Sequence, residues 1–507
     1  MARRATAETL RRGGTAAALA LGLAGCSHAR LSPPTTSLPS VYEAGSAADA
    51  ALAAQALDRW WTLFDDPQLT ALVDDALVRA PDARSAFQRI EESRALRAQT
   101  LSRFGLQGNL TGLGQVQNTQ QDFGGVGVSA GGIGTGAGGA GTGAGTGTGA
   151  GTGVGGAGTG AFFTPGGTLY TAGASFNVTY ELDLFGRRGA SRRAADADLA
   201  AARFDYEATR AVLARDVATS LFQARGYAIQ LADARETARI AGELARVARL
   251  SAERGLTSTG SAARLETDLG SAEAEVVRLE ALARSGRRTL LALVGRGAEP
   301  LDSLPVEAVA KPPPAPPAIT PGELLRRRPD VREAEARLRS RAATLELDKL
   351  ALFPTFTLAP GVQFSRVTGT YDLTSTVWSA GVNALVPVLD RPRLLAVIRG
   401  DRARGEQAVI AYEQAVQNAY RDAENGLNAL AADRLRIARL TGAVERARFA
   451  FDASRKGYEL GLLDLNTLLD SERSWREARA TLTAAEITAL TDAATLFQAL
   501  GGGWTPS

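Results

Sequence analysis

The sequence predicts an α+β membrane protein built as two tandem repeats, with long strands that belong to a barrel shared between copies and with long coiled-coil helices. Three observations carry this. The stretch LYTAGASFNVTYELDLFGR at 169–187 alternates from Tyr170 to Leu184, apolar or small against polar or small, over about fifteen residues. Gly186 to Glu299 and Arg393 to Thr505 contain no proline and are rich in Ala and Arg. The block ALVRAPDARSAFQRI at 76–90 returns as LLRRRPDVREAEARL at 324–338.

The chain opens with a basic stretch (Arg3, Arg4, Arg11, Arg12) and a short apolar run, Thr15 to Leu23, too short to span a bilayer as a permanent helix. Leu23-Ala24-Gly25-Cys26 follows and resembles the lipobox of bacterial lipoproteins. Residues 1–25 then read as a signal peptide, and the resemblance implies cleavage before Cys26, lipidation of its thiol and, from Ser27, sorting to the outer membrane. An ordinary secretory signal with a chance cysteine is the plainer alternative. Cys26 is the only cysteine, so no disulfide can form within the chain.

Composition narrows the chemistry. The 57 basic and 54 acidic residues nearly balance, so no nucleic-acid footprint stands out. The one histidine, His28, lies beside the lipid site, which removes histidine general bases, Ser-His-Asp triads and histidine-rich metal sites. No Walker A motif is found, and the G-x-G-x-x-G spacings of the glycine tract lack a strand–turn–helix context. After residue 26 no run is apolar enough for a transmembrane helix.

The repeat organises the rest. Pro81-Asp82 recurs as Pro329-Asp330, 248 residues on, whereas Leu184-Phe185-Gly186-Arg187 recurs as Val388-Leu389-Asp390-Arg391, only 204 on. Later matches lie 206 apart, as for Leu291–Gly295 and Phe497–Gly501. The first repeat therefore carries extra residues between its strands, most of them in the low-complexity tract Gly124–Gly160, which belongs at an exposed loop tip. The expected boundaries are a lipidated segment at 26–65, a first repeat at 66–300, a Pro-rich extended linker at 301–320 and a second repeat at 321–504.

Each repeat reads helix, strand, loop, strand, long helix, turn, helix. Val217, Ala224, Leu231, Ala238, Ala245 and Ala252 form a heptad seam of small knobs that lets helices approach closely. A helix from about Gly189 to Arg254 is roughly 100 Å long at 1.5 Å per residue. It breaks at Gly255-Leu256-Thr257-Ser258, and the second repeat breaks near Gly457–Leu463. A lipidated coiled-coil scaffold without a pore accounts for the helices but not for the paired strands.

The other strand candidates share the two faces: Leu106, Leu110 and Val116; Phe356, Leu358, Val362 and Phe364; Trp378 and Val382, each alternating with polar or small residues. Long strands, apolar on one face only, are what a membrane barrel needs, but four are too few to close one. An open strand edge in lipid leaves N–H and C=O groups without partners. The four strands are therefore expected to be completed by other copies of the chain.

Trp60-Trp61-Thr62-Leu63-Phe64-Asp65-Asp66-Pro67, YELDLFGR at 180–187, RRPDVREAEARL at 327–338 and FQALGGGW at 497–504, taken with the lipobox and the repeat, resemble the TolC-like outer-membrane efflux family, in its lipoprotein branch serving resistance-nodulation-division pumps. The resemblance spans about residues 55 to 504. It implies a homotrimer with a twelve-stranded barrel, four strands per chain, continued by a helical periplasmic tunnel held closed at its tip. It implies passive conduction rather than enzymatic chemistry, with no cofactor and no metal. The implied partners are outer-membrane lipid, a periplasmic adaptor and an inner-membrane transporter. Tyr458-Glu459-Leu460-Gly461 and Leu468-Leu469-Asp470 match the family's tip motif, and Asp470 its constricting aspartate, with Tyr458, Asp464 and Arg254 as further gate candidates. The adaptor is expected to dock on Gly255, Leu256, Thr257, Gly461 and Leu462. A solvated helix charge is the plain alternative for Asp470. The outer-membrane duct of a type I protein-secretion system is the alternative for the chain.

Overall fold

The computed structural model describes residues 31–35, 37–43, 54–119, 167–255, 258–317, 319–369, 372–460 and 462–505. The signal segment, Cys26, the glycine tract at 124–160, Leu256, Thr257 and Gly461 lie outside the described residues. The chain divides into a helical unit (1–102, 184–354, 386–507) and a sheet unit (103–183, 355–385).

The sheet unit contains β1 (Gln107–Thr119), β2 (Gly167–Leu182), β3 (Thr355–Leu358), β4 (Gly361–Thr368), β5 (Leu373–Ser379) and β6 (Val382–Leu385). All pairings are antiparallel: β2 pairs with β1 on one side and with β4 and β3 on the other, β4 with β5, and β3 with β6. The six segments therefore make four strand paths, because β3–β4 and β5–β6 are each one path interrupted. The interruptions fall at Ala359-Pro360 and Ala380-Gly381. Proline has no N–H to give the ladder. Pro360 still accepts from the Val178 N–H at 2.9 Å, and the Ala359 N–H reaches the Gly381 carbonyl at 2.9 Å, so the paths stay joined.

The register puts the expected faces together. Leu110 lies opposite Phe176, Phe176 opposite Val362, and Val362 opposite Trp378, giving an apolar row across all four paths. The next row through Tyr180, Leu358 and Val382 is apolar too. The alternate face carries Asn109, Asn177, Gly361 and Ser379 in one row. Thr111 and Ser175 bond there through their hydroxyls at 2.6 Å. The apolar row is exposed, with Trp378 at 79% and Leu110 at 74%.

The helical unit holds α1 (Pro67–Arg79), α2 (Pro81–Ser102), α3 (Arg187–Glu253), α4 (Thr259–Leu293), α5 (Pro321–Arg327), α6 (Pro329–Leu350), α7 (Arg391–Glu459) and α8 (Leu465–Ala499). Long α3 and α7, of 67 and 69 residues, each turn back into a helix of 35. All six residues of the heptad seam on α3 are buried or half-buried. The returning helix is about half as long, so it ends beside the midpoint of its partner. There the two repeats share a core: Leu221 and Phe222 of α3, Leu290 and Leu291 of α4, Leu430 of α7, Leu496 and Phe497 of α8.

The recurring sequence blocks staple this core. The 3-10 segment Ala54–Phe64 places Trp60 on Phe497, rings stacked with centroids 5.7 Å apart, and Phe64 5.2 Å from Phe222. Gly295 and Gly501 close α4 and α8 at φ +80° and +81°. A Cβ on Gly295 would lie 2.8 Å from the Arg79 carbonyl oxygen, and one on Gly501 2.7 Å from that of Arg327, so both positions demand glycine for the same reason. Arg328 is buried; it bonds Asp330 at 2.6 Å and reaches the Ala499 carbonyl at the end of α8 at 3.3 Å. An extended segment lies along α7, with the Thr35 N–H on Glu413 at 2.7 Å and Tyr42 stacked on Tyr420.

Asp66 caps α1, its carboxylate accepting from the Gln68 and Leu69 N–H groups at 3.1 Å. The same carboxylate takes a bidentate bond from Arg225 of α3, and both side chains are about nine-tenths buried. Burial pushes the Asp66 carboxyl up, but the bonds from Arg225 and the helix amides outweigh it and hold it below the usual range. Asp66→Ala leaves a buried guanidinium unpaired and should cost about 3–5 kcal/mol, read from thermal unfolding. A loss comparable to that of an exposed surface substitution would show the pair to be unimportant. The contribution of Asp66 is present above the ordinary carboxylate pKa and is lost as pH falls through its lowered value.

The second repeat also brings carboxyls together, Asp348 of α6 on Asp401 of α7, and Asp433 of α7 on Asp492 of α8. The first-repeat counterparts of the latter two, 206 residues earlier, are Tyr227 and Gly286, which pack as an apolar contact. Burial first, then the hydrogen bond and charge of Asp401, push Asp348 up to about 6. Burial also pushes Asp401 up, but the bond from Arg404 overrides it and keeps Asp401 low, so the shared proton sits on Asp348. A raised carboxyl stabilises the fold below its unfolded pKa and loses that contribution as pH rises through the folded value. Wild type should therefore lose about 1 kcal/mol or less between pH 5 and pH 7.5 at this site, discounting for solvent access. Asp348→Asn should flatten that slope in thermal melts, and an unchanged slope would show that the proton is not shared here.

Candidate functional site

The candidate site lies where the long helices turn back. Alanine at the seam allows α3 and α4 to close on one another, and Ala245, Ala248, Ala262 and Leu265 form a small buried cluster there. Leu469 of α8 packs against the same cluster, which ties the second hairpin to the first. Arg473 of α8 lies 4.0 Å from Asp268 of α4 and 3.8 Å from Asp470 on its own helix.

The turns differ in construction. Arg254 caps α3, is exposed, and Gly255 follows at φ +70°. Ser258 caps α4 by accepting from the Ser261 N–H at 3.1 Å. In the second repeat the Leu462 N–H turns back to the Gly457 carbonyl at 2.8 Å, and Leu463 folds over Gly457, leaving no room for a Cβ there. Leu460 and Leu462 stand 74% and 76% exposed, an unusual cost for leucines at a turn.

The expected gate residues fall into separate roles. Asp464 is the N-cap of α8, and its carboxylate accepts the Thr467 N–H at 2.8 Å. That backbone bond holds the Asp464 carboxyl below its usual range. Asp470 sits a turn and a half further on, exposed, while its neighbours Leu468 and Leu469 point inward. Tyr458 is part of the last turn of α7 and is 41% exposed. Asp470, Arg473 and Asp268 thus come together, whereas Asp464 is occupied by its own helix.

Other features escaped the sequence reading. A cleft of about 570 Å³ opens between α3, α4 and α8, lined by Leu244, Leu265, Asp268, Leu469, Glu472 and Arg473. Glu472 is buried and bonded to Arg476, whose own pKa burial lowers. A second cleft of about 330 Å³ follows along the same helices, walled by Ile240, Leu279 and Trp475. Trp475 stacks on Phe451 at 5.3 Å, and Arg479 reaches across to Asp233 at 2.8 Å. The i,i+4 spacing of Glu472 and Arg476 was the only sequence signal for these contacts. Among the described residues no group of three or more His, Cys, Asp or Glu could hold a metal ion. No described helix is long and apolar enough to cross a membrane.

Comparison with known proteins bears on the whole chain. It is 27% identical over 451 residues to the pyoverdine export outer membrane protein OpmQ of Pseudomonas aeruginosa, spanning 88% of this chain and 87% of that one. The solved outer-membrane channel OprN superposes with a TM-score of 0.74 at 24% identity, covering 94% of this chain and 99% of OprN. The CmeC outer membrane channel of Campylobacter jejuni superposes at 0.78 with 17% identity, covering 94% and 95%. The sequence profile described as outer membrane efflux protein matches residues 72–296 and 320–502, most of both repeats, and the chain belongs to that family.

Proposed function

We propose that this chain forms the trimeric outer-membrane channel of a tripartite efflux pump. The observation that carries the reading is the sheet: four antiparallel paths, apolar on one face and polar on the other, with β1 and β5–β6 at its open edges. Three copies close these edges into twelve strands, which satisfies every ladder group in lipid. The apolar row through Leu110, Phe176, Val362 and Trp378 then faces lipid, and Asn177 and Ser175 face the lumen. Acylated Cys26 adds a lipid anchor.

The helical unit forms the periplasmic wall of the pore. Energy comes from an inner-membrane resistance-nodulation-division transporter through a periplasmic adaptor. The adaptor docks on the turns Gly255, Leu256 and Thr257 and Gly461 and Leu462, where exposed Leu460 and Leu462 offer apolar area to bury. Three Asp470 carboxylates ring the closed tip and draw cations into the constriction. Arg473, beside both Asp470 and Asp268, links the second hairpin to the first and is a restraint that opening must break. Tyr458, Asp464 and Arg254 shape the turns around that ring. The repeats at 66–300 and 321–504 and the linker at 301–320 supply the two hairpins of each protomer.

Single-channel recording tests the gate. Wild type should conduct in small, cation-preferring steps blocked by a trivalent cation. Asp470→Ala should weaken that block by about tenfold or more and shift selectivity towards anions, with little effect on assembly because the carboxylate is exposed. Equal block in both proteins would put the constriction elsewhere.

A further inference from the structure

The sheet carries a charge on its apolar face. Among the described strand residues only Glu181 and Arg366 are charged. Glu181 lies opposite Thr357, on the polar face with Asn177 and Ser175. Arg366 lies opposite Ala172 of β2 and Thr374 of β5, on the same face as Phe176, Val362 and Trp378. Its side chain is exposed, and no described residue gives it an ion pair or a hydrogen bond. Asp372, two residues before Thr374, is the acid nearest in register and does not bond it either. β4 is paired with β2 on one side and β5 on the other, so Arg366 does not lie at an open edge where another copy would cover it.

Beside Arg366 the same face is almost bare. Gly112 lies opposite Ala174 and Gly114 opposite Ala172, so two adjacent rows of β1 and β2 carry nothing larger than a methyl group. A Cβ on Gly112 or Gly114 would meet no atom within 4 Å. Phe364 and Arg366 of β4 wall this trough on one side, and the exposed rings of Phe176 and Tyr170 mark its two ends. The strand also sets its depth. Ten residues of β2 lead from Ala172 to Leu182, and α3 begins after four more. Ten residues span about 33 Å of strand, which at a barrel tilt of about 40° rises about 25 Å. The apolar band of an outer-membrane barrel is also about 25 Å tall. With the helices on the periplasmic side, Arg366 stands at the outer rim of that band. Tyr170, one row further out, suits the aromatic girdle at the membrane–water boundary.

We propose that Arg366 and the trough beside it bind a phosphorylated lipid of the membrane's outer leaflet, with the phosphate on the guanidinium and an acyl chain along Gly112, Gly114, Ala172 and Ala174. The occupant follows from charge and from depth. A lipid-facing arginine is costly at the midplane and tolerated at the rim, where its stem lies along apolar surface and its head reaches the phosphates. The guanidinium fork matches phosphate bidentately, and no acid of the described chain competes for it. A soluble anion has no use for the bare rows, whereas an acyl chain fills them. The site rests on the reading that the strands cross the outer membrane, because that reading sets Arg366 at phosphate level.

The test uses full-length protein, delipidated in mild detergent and titrated with lipid A and with its dephosphorylated form, bound lipid being read by native mass spectrometry. Wild type should retain lipid A over the dephosphorylated lipid by about fivefold. Arg366→Gln should bring that ratio close to one, and Arg366→Lys, which keeps the charge without the fork, should keep part of it. Arg103→Gln, just before β1 at the other end of the sheet, should leave the ratio unchanged. Ala172→Phe, which fills the trough at an exposed position, should lower retention of both lipids. Equal retention of the two lipids by wild type overturns the site, as does a preference that survives Arg366→Gln or falls equally with Arg103→Gln. Displacement of lipid A by inorganic phosphate at equal concentration assigns Arg366 to a soluble anion and also overturns it. Conductance of the same samples in planar bilayers separates the two readings: pores without lipid preference sink the lipid site alone, and protein that never inserts sinks both.

Discussion

Every peptide group that enters a bilayer needs a hydrogen-bond partner, and the strand paths of this chain provide partners for only their inner edges. β2 is paired on both sides, whereas β1 and β5–β6 each leave one side open. An unsatisfied backbone group in hydrocarbon costs several kcal/mol, and each open edge carries a row of them. Everything else in the molecule is compatible with one resolution, in which copies of the chain lend each other their edges. The apolar row on one face and the Thr, Ser and Asn rows on the other then separate lipid from water without any single residue doing so.

The helical unit solves a different problem, the support of helices of nearly seventy residues with few large side chains. Its seam is mostly alanine, so close approach replaces bulk. Bulk is concentrated at the midpoint, where Trp60, Phe64, Phe222 and Phe497 gather and where both short helices end. Three of the residue blocks that make the family legible, those around Trp60, Pro329 and Gly501, converge there. Trp60 and Asp66, Arg328 and Pro329, Gly501 and Trp504 cap, plug or approach one another around that core, and Trp504 bonds the Arg327 carbonyl at 2.6 Å. Their common role is architectural, which explains why such blocks announce the fold without revealing what it carries.

Periodicity was readable wherever it acts over many residues. The alternation read from Tyr170 to Leu184, the proline-free helices and the repeat offsets are local signals; the helices follow them, and the strand runs Gly167–Leu182, starting three residues earlier and ending two earlier than the alternation. What the sequence left hidden was short-range backbone accounting and long-range pairing. Phe356 to Phe364 alternates as one strand, yet Pro360 splits it, because the missing donor interrupts the ladder without altering which face each side chain takes. Arg225 and Asp66 lie 159 residues apart, and nothing near either announces the other. Asp464 reads as a pore residue by its place in the turn, but three residues before Thr467 it is also placed to cap α8, and that is the bond it makes. Asp470 has no such local task, since its side chain is exposed and its nearest partner is Arg473.

The claim that copies share their edges is tested most directly by cross-linking edge to edge. In a Cys26→Ser background, one cysteine on β1 between Asn109 and Gln115 and one on β5 between Thr374 and Trp378 can be scanned as pairs, oxidised, and run in denaturing gels. The account predicts that pairs in register yield a ladder ending at three linked chains, closed and without larger products. A link confined to single chains, or a ladder that climbs past three, would contradict it.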